Sequence, residues 1–168
     1  MNAERNAFHF AITAAQPEDL DAIFALERAT EFAPHWPRKT YAEVIQGMAC
    51  SSGSDLQRFL TVAKQADGHL IGFAACSAHP ALPDSAVLES IAVARAARRA
   101  GVGRALCEEI FAWCRRQGAV EIGLEVRKES YGVIALYREL GCVETATRLA
   151  YYPDSADALV MRKDLAKP

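Results

Sequence analysis

The stretch from Ala86 to Arg116 constrains this chain more than any other. An apolar run, Ala86 to Val93, leads into Arg95-Ala96-Ala97-Arg98-Arg99-Ala100-Gly101-Val102-Gly103-Arg104, after which Leu106, Ile110, Trp113 and Cys114 recur at helical spacing. Strand, glycine-bearing loop and one-sided helix in that order require a helix lying on a sheet, so the fold class is α/β or α+β around one sheet. The glycines fall where such a connection must turn tightly and let its backbone approach a ligand. A helix N-terminus leaves its first N–H groups unpaired and carries partial positive charge, and Arg98, Arg99 and Arg104 add to it. The junction therefore reads as a site for a phosphate or pyrophosphate, or else as an arginine-rich solvated turn whose glycines serve chain geometry alone. No Gly-Lys-Ser/Thr follows and the full GxGxxG spacing is missing, which argues against nucleoside triphosphate and NAD readings.

The remaining elements fit around this junction. Phe8, Phe10 and Ile12 alternate with His9, Ala11 and Thr13 as a first strand, and Gln16-Pro17-Glu18-Asp19 opens a helix that carries Leu20, Ile23, Phe24 and Glu27 at helical spacing. A break around Pro34 and Pro37 precedes a second amphipathic stretch, Arg38 to Met48. Phe59 to Lys64 and His69 to Cys76 flank Asp67-Gly68, a strong hairpin signal. His79 to Pro83 reads as a loop before the Ala86 run, and Gly118 as the stop of the long helix. Val120, Ile122, Leu124 and Val126 alternate with Glu121, Gly123, Glu125 and Arg127 as a strand. A helix from Tyr131 to Leu140 ends at Gly141, and Cys142 to Tyr152 and Ala156 to Arg162 read as two closing strands around Pro153-Asp154-Ser155. The 168 residues make one domain, 1–168, with a mixed sheet and helices packed on it.

Charge and cysteine usage remove several function classes. Nineteen Lys and Arg against 21 Asp and Glu give a net charge of −2, so no global basic field points to nucleic acid or an anionic membrane. No apolar run approaches the roughly 18 residues of a membrane span. The five cysteines are dispersed, with no CxxC pair and no Cys/His cluster at metal spacing, which implies no metal and a reducing, cytoplasmic setting.

Arg98-Arg99-Ala100-Gly101-Val102-Gly103 fits the pyrophosphate loop, Gln/Arg-x-x-Gly-x-Gly/Ala, of the GCN5-related N-acetyltransferase superfamily. Together with Ser90 to Val93, Leu124-Glu125-Val126-Arg127 and Ala135-Leu136-Tyr137-x-x-Leu140-Gly141, it makes the chain resemble that superfamily over most of its length. Leu-Glu-Val-Arg, Ile134 to Tyr137, Tyr151-Tyr152-Pro153 and Asp157 to Met161 are most similar to the RimI type, the ribosomal-protein alanine N-acetyltransferases. The resemblance implies one mixed, mostly antiparallel sheet of roughly six to seven strands with about four helices. It implies acetyl-CoA as cosubstrate, with the pyrophosphate on the backbone of Arg98, Arg99, Ala100, Gly101, Val102, Gly103 and Arg104. The segment Ile91, Ala92 and Val93 would hold the pantetheine arm as an added strand would be held, through the main chain of Ile91 and Val93.

The resemblance also assigns the chemistry. Glu125 matches the proposed general base and Tyr137 the proposed general acid; the alternatives are a solvated strand carboxylate paired with an arginine and a core tyrosine. The acceptor would be the N-terminal α-amine of a protein, with Trp36, Tyr41, Tyr151 and Tyr152 as walls of its groove, and the enzyme a monomer or weak homodimer. Competing functions are acetylation of a small amine and a non-catalytic acyl-CoA-binding module. Ser130 stands where the family has Asn beside the cofactor, Cys142 where it has Phe, and His35-Trp36-Pro37 where it has Pro-Trp-Ser. Neither Cys107 nor Cys142 has a sequence-linked His, so a thiol nucleophile is not expected.

Overall fold

The computed structural model describes residues 9–31, 35–47 and 55–166. Strand β1 (Ala11–Ala14) is followed by a 3-10 turn, Pro17–Asp19, whose proline sits where no N–H partner is needed. Asp19 closes this turn by accepting the Gln16 N–H at 2.9 Å and pairing with Lys64 at 2.6 Å, which fixes the entry into helix α1 (Leu20–Arg28). Helix α2 covers Arg38–Ile45; Phe8 and Met48, assigned above to the first strand and second helix, lie outside the described residues. Then come β2 (Gln57–Lys64), β3 (Leu70–His79), β4 (Leu82–Val93), α3 (Val102–Arg116), β5 (Glu121–Arg127), α4 (Tyr131–Glu139), β6 (Val143–Arg148) and β7 (Ala158–Asp164).

These strands form a seven-stranded mixed sheet in the order β1-β2-β3-β4-β5-β7-β6, with β4 and β5 parallel and every other pair antiparallel. One core joins α3 and α4 to the sheet through Leu106, Ile110, Ile122, Leu124, Ile134 and Met161; the other joins α1 and α2 to the opposite face through Ile23, Tyr41, Val62 and Phe73. β3 is buried along nearly its whole length and is rich in small residues, so α3 packs close to its backbone. Gly72 marks the tightest approach: a Cβ there would lie 3.1 Å from the Ala92 carbonyl oxygen, from Leu106 and from Val102.

Two boundaries differ from the sequence-based expectation. The segment read as a loop before Ala86 is a tight hairpin in which His79 pairs with Leu82. Pro83 starts a strand well because proline keeps its carbonyl, and that carbonyl accepts the Val120 N–H at 2.9 Å. At the other end β6 stops at Arg148 rather than at Tyr152: Ala150 takes φ +50° and donates its N–H to the Asp157 carboxylate at 3.0 Å, so residues 149–157 form a loop.

The parallel pair is short. Only Ala86 with Ile122 and Val87 with Gly123 are in register, whereas β5 pairs with β7 from Glu121 to Arg127. Beyond Val87, β4 runs on to Val93 without β5, and the sheet is split there. A β-bulge separates the Leu88–Cys76 and Ser90–Ala75 pairs, with Glu89 as the extra residue. Gly72→Ala is expected to lower the free energy of unfolding by about 1–3 kcal/mol through overpacking between β3 and α3, read from the denaturation midpoint at constant m-value.

Candidate active site

The split opens at the C-terminal ends of two parallel strands, where ligands of open α/β sheets sit. The Ala94 N–H bonds the Ile71 carbonyl at 2.8 Å. By antiparallel alternation Ala92 then faces β3, and the N–H and C=O of Ile91 and Val93 face into the split. Past Val93 the chain makes a 3-10 turn, Arg95–Ala97, before Arg99 and Gly101 adopt φ of +66° and +83°. The first main-chain bond into α3 runs from the Ala105 N–H to the Gly101 carbonyl at 3.0 Å, so the amides of Val102, Gly103 and Arg104 precede the helical ladder. Gly103 sits against α4: a Cβ there would lie 3.2 Å from Leu136. Arg98 and Arg99 are exposed, with Arg98 Nε donating to the Val93 carbonyl at 3.3 Å. The Arg104 guanidinium is engaged by Glu139 at 2.7 Å and Glu108 at 3.9 Å, so only its backbone is turned to the loop's concavity. Ser130 caps α4 by its carbonyl, which accepts the Ile134 N–H at 3.0 Å, and its hydroxyl makes no capping bond.

Glu125 lies on the α1/α2 face of β5. Val87 is in register with Gly123, and the extra residue Glu89 brings Ser90 level with Glu125 across the split, on the same face. The Glu125 side chain is 27% exposed and takes an ion pair from Arg148 Nε at 2.8 Å. The Glu125 carboxylate beside Tyr151 raises the Tyr151 phenol above its usual range. Tyr137, from α4, belongs to the other core and is 4% exposed. Burial raises its phenol well above the ordinary value, reinforced by the neighbouring Cys107, Cys142 and Tyr152. Burial raises the Tyr152 phenol, and the Arg127 guanidinium partly offsets that.

The 149–157 loop brings Tyr151 and Tyr152 edge to face at 5.2 Å. Arg127 holds it in place, stacking on Tyr152 at 4.5 Å and gripping Asp154 with two bonds of 2.8 and 3.0 Å; the guanidinium holds the Asp154 carboxyl below its usual range. Trp36, half-buried, reaches the same face from the α1–α2 connection. Tyr41 does not line a groove: it is fully buried, with its hydroxyl on Glu27. Sequence reasoning missed Arg148 and Asp154, whose partners lie far away along the chain. It passed over Glu27, although a carboxylate in the apolar stripe of α1 was a readable signal. Among the described residues no cluster of His, Cys, Asp and Glu is arranged for a metal.

An open mixed sheet split at its parallel pair, with outward strand-edge amides, a glycine loop at a helix start and a carboxylate at the mouth, is the architecture of an acyl-CoA-dependent acyltransferase. The profile of the Acetyltransferase (GNAT) family matches residues 20–142. The chain is 32% identical over 153 residues, 89% of its length and 94% of the relative's, to the [ribosomal protein bS18]-alanine N-acetyltransferase of Escherichia coli K12. The crystal structure of the Escherichia coli ribosomal-protein-S18-alanine N-acetyltransferase superposes with a TM-score of 0.74 at 30% identity, covering 94% of each chain. Naa20 of Chaetomium thermophilum, in complex with a bisubstrate analogue, gives a TM-score of 0.74 at 25% identity over 94% of this chain and 87% of that one. The chain belongs to the GNAT acetyltransferase family, and it is an N-acetyltransferase of the RimI type.

Gly101→Ala meets open space but forces a side chain into the left-handed region, so it should cost about 1–2 kcal/mol of stability and weaken acetyl-CoA binding by calorimetry. The thiols around Tyr137 make a pH prediction. Burial pushes Cys107 up to about 12 and Cys142 up to about 11, while a thiol in an unfolded chain titrates near 8.5. Both raised values mean that the unfolded state loses protons first, so stability should be flat below about pH 8.5 and fall as pH rises towards 11, followed by urea midpoints.

Proposed function

We propose that this enzyme transfers acetyl from acetyl-CoA to the N-terminal α-amine of a protein, by direct attack with both substrates bound. The observation that supports the reading is that β4 parts from β5 after Val87, which leaves the edge of Ile91 and Val93 open opposite the strand that carries Glu125. That edge and the loop amides fit the donor: the arm of a coenzyme, with its alternating amide groups, matches strand groups that face no neighbouring strand, and a pyrophosphate matches a helix start. Arg98, Arg99, Ala100, Gly101, Val102, Gly103 and Arg104 would hold the diphosphate by their backbone, and Ser130 would border the arm. Bound acetyl-CoA supplies an activated thioester.

The residues of the chain then manage protons. An α-amine has a pKa of about 8 and is mostly protonated at neutral pH. Glu125, steered by Arg148 and Tyr151, accepts that proton, directly or through a water. Tyr137, dry and still protonated because burial raises its phenol, donates a proton to the departing sulfur. Trp36, Tyr151 and Tyr152 flank the amine with aromatic surface suited to an extended chain. The named activity of the Escherichia coli relative supports a protein acceptor.

Glu125→Gln and Tyr137→Phe should each lower kcat by about 10²–10⁴-fold while leaving acetyl-CoA binding intact. The assay is CoA release and product mass, with peptides beginning Ala, Ser, Gly or Met against polyamines and amino acids. Turnover confined to small amines would overturn the acceptor assignment. Acetyl-CoA binding without turnover on any amine would point to a binding module.

A further inference from the structure

Glu27 interrupts the apolar stripe of α1 and is fully buried. A carboxylate removed from water is costly unless donors meet its oxygens, and an apolar side chain would fill the stripe without that cost. Its Oε1 accepts the backbone N–H of Trp36 at 2.7 Å and the hydroxyl of Tyr41 at 2.9 Å. Its Oε2 is buried with no hydrogen-bond donor; Arg28 Nε and His35 Nδ1 each lie 3.7 Å away. The Tyr41 phenol in turn faces Ser90, the β4 residue level with Glu125 across the split. The Trp36 ring packs 5.3 Å from Tyr41 and 5.8 Å from the Arg58 guanidinium, and Arg58 pairs at 3.5 Å with Glu89, the bulged neighbour of Ser90. These contacts close a ring that ties the α1–α2 connection to β4 at the mouth of the split, and none of them involves the 94–104 loop.

We propose that Glu27 is a positioning residue of the acceptor side: through the Trp36 amide and the Tyr41 hydroxyl it fixes the α1–α2 connection against β4, and so sets where an incoming amine lies relative to Glu125. The inference rests on the acetyltransferase reading of the split and adds to it a residue that touches neither substrate.

Steady-state kinetics on Glu27→Ala, Glu27→Gln and Tyr41→Phe test it. Glu27→Ala should raise the acceptor KM about tenfold, with kcat and the acetyl-CoA KM within about twofold. Gln retains an oxygen that both donors can reach and should restore most of the loss, and Tyr41→Phe should fall between. A second readout is independent of turnover: with Trp113→Phe as background, acrylamide should quench Trp36 fluorescence more strongly in Glu27→Ala than in the parent or in Glu27→Gln. Lowered thermal stability with unchanged acceptor KM and unchanged quenching would make Glu27 a packing residue and overturn the proposal, as would an equal rise in both KM values. If Glu27→Ala does not fold, an unchanged acceptor KM in Tyr41→Phe overturns it. Absence of turnover in the parent protein would count against the acetyltransferase reading, and the quenching comparison would then decide the role of Glu27.

Discussion

The parting of β4 from β5 after Val87 is the constraint on which the rest of the molecule depends. A parallel pair normally continues until one strand ends, yet here β5 is matched along its length by β7 while β4 extends six residues further. The edge groups of Ile91 and Val93 are left without a neighbouring strand, and backbone polar groups held away from water need partners. α3 packs closely on β3 at Gly72 and α4 on Gly103, where a Cβ would lie 3.1 Å and 3.2 Å from its nearest neighbours.

The two sides of the split are built from different materials. The side proposed for the donor is main chain: strand edge, loop and helix start, set largely by φ/ψ and by glycine. The side proposed for the acceptor is side chain, from Trp36, β5 and the 149–157 loop. Its ion pairs, Arg148 with Glu125 and Arg127 with Asp154, are partly exposed, so water and salt screen them and they add little to stability. Their effect is orientation: the Arg127 fork holds the loop that carries Tyr151 and Tyr152, and Arg148 limits the rotamers open to Glu125.

This difference decides what could be read without coordinates. The donor side is local in sequence, so the run from Ser90 to Arg104 displays its strand, turn and helix start in one stretch. Glu125 stood out by strand alternation and by likeness to the family, but its pairing with Arg148 was not readable, since two strands and a loop have to be placed first. Pro83 and Tyr152 were misassigned for related reasons. Pro83 reads as part of a loop yet lies at the start of β4, and Cys142 to Tyr152 reads as one strand although the Asp157 side chain captures the Ala150 amide and ends it at Arg148. Tyr41 looked like a groove wall because an aromatic residue in an amphipathic helix has no visible partner until α1 is laid beside it.

The same division bears on the proposed proton traffic. Glu125, the proposed base, is partly exposed beside Arg148, where water could carry away a proton taken from the amine. Tyr137 is almost fully buried among neutral thiols, and burial holds its proton in place until a stronger base appears beside it. In the proposed mechanism the departing thiolate is that base, because burial strips the hydration that stabilises it in bulk solvent. Cys142, beside Tyr137, keeps its own proton for the same reason and adds no charge that would compete. In the proposed transfer the proton is accepted on the more exposed side of the split and donated from the buried one.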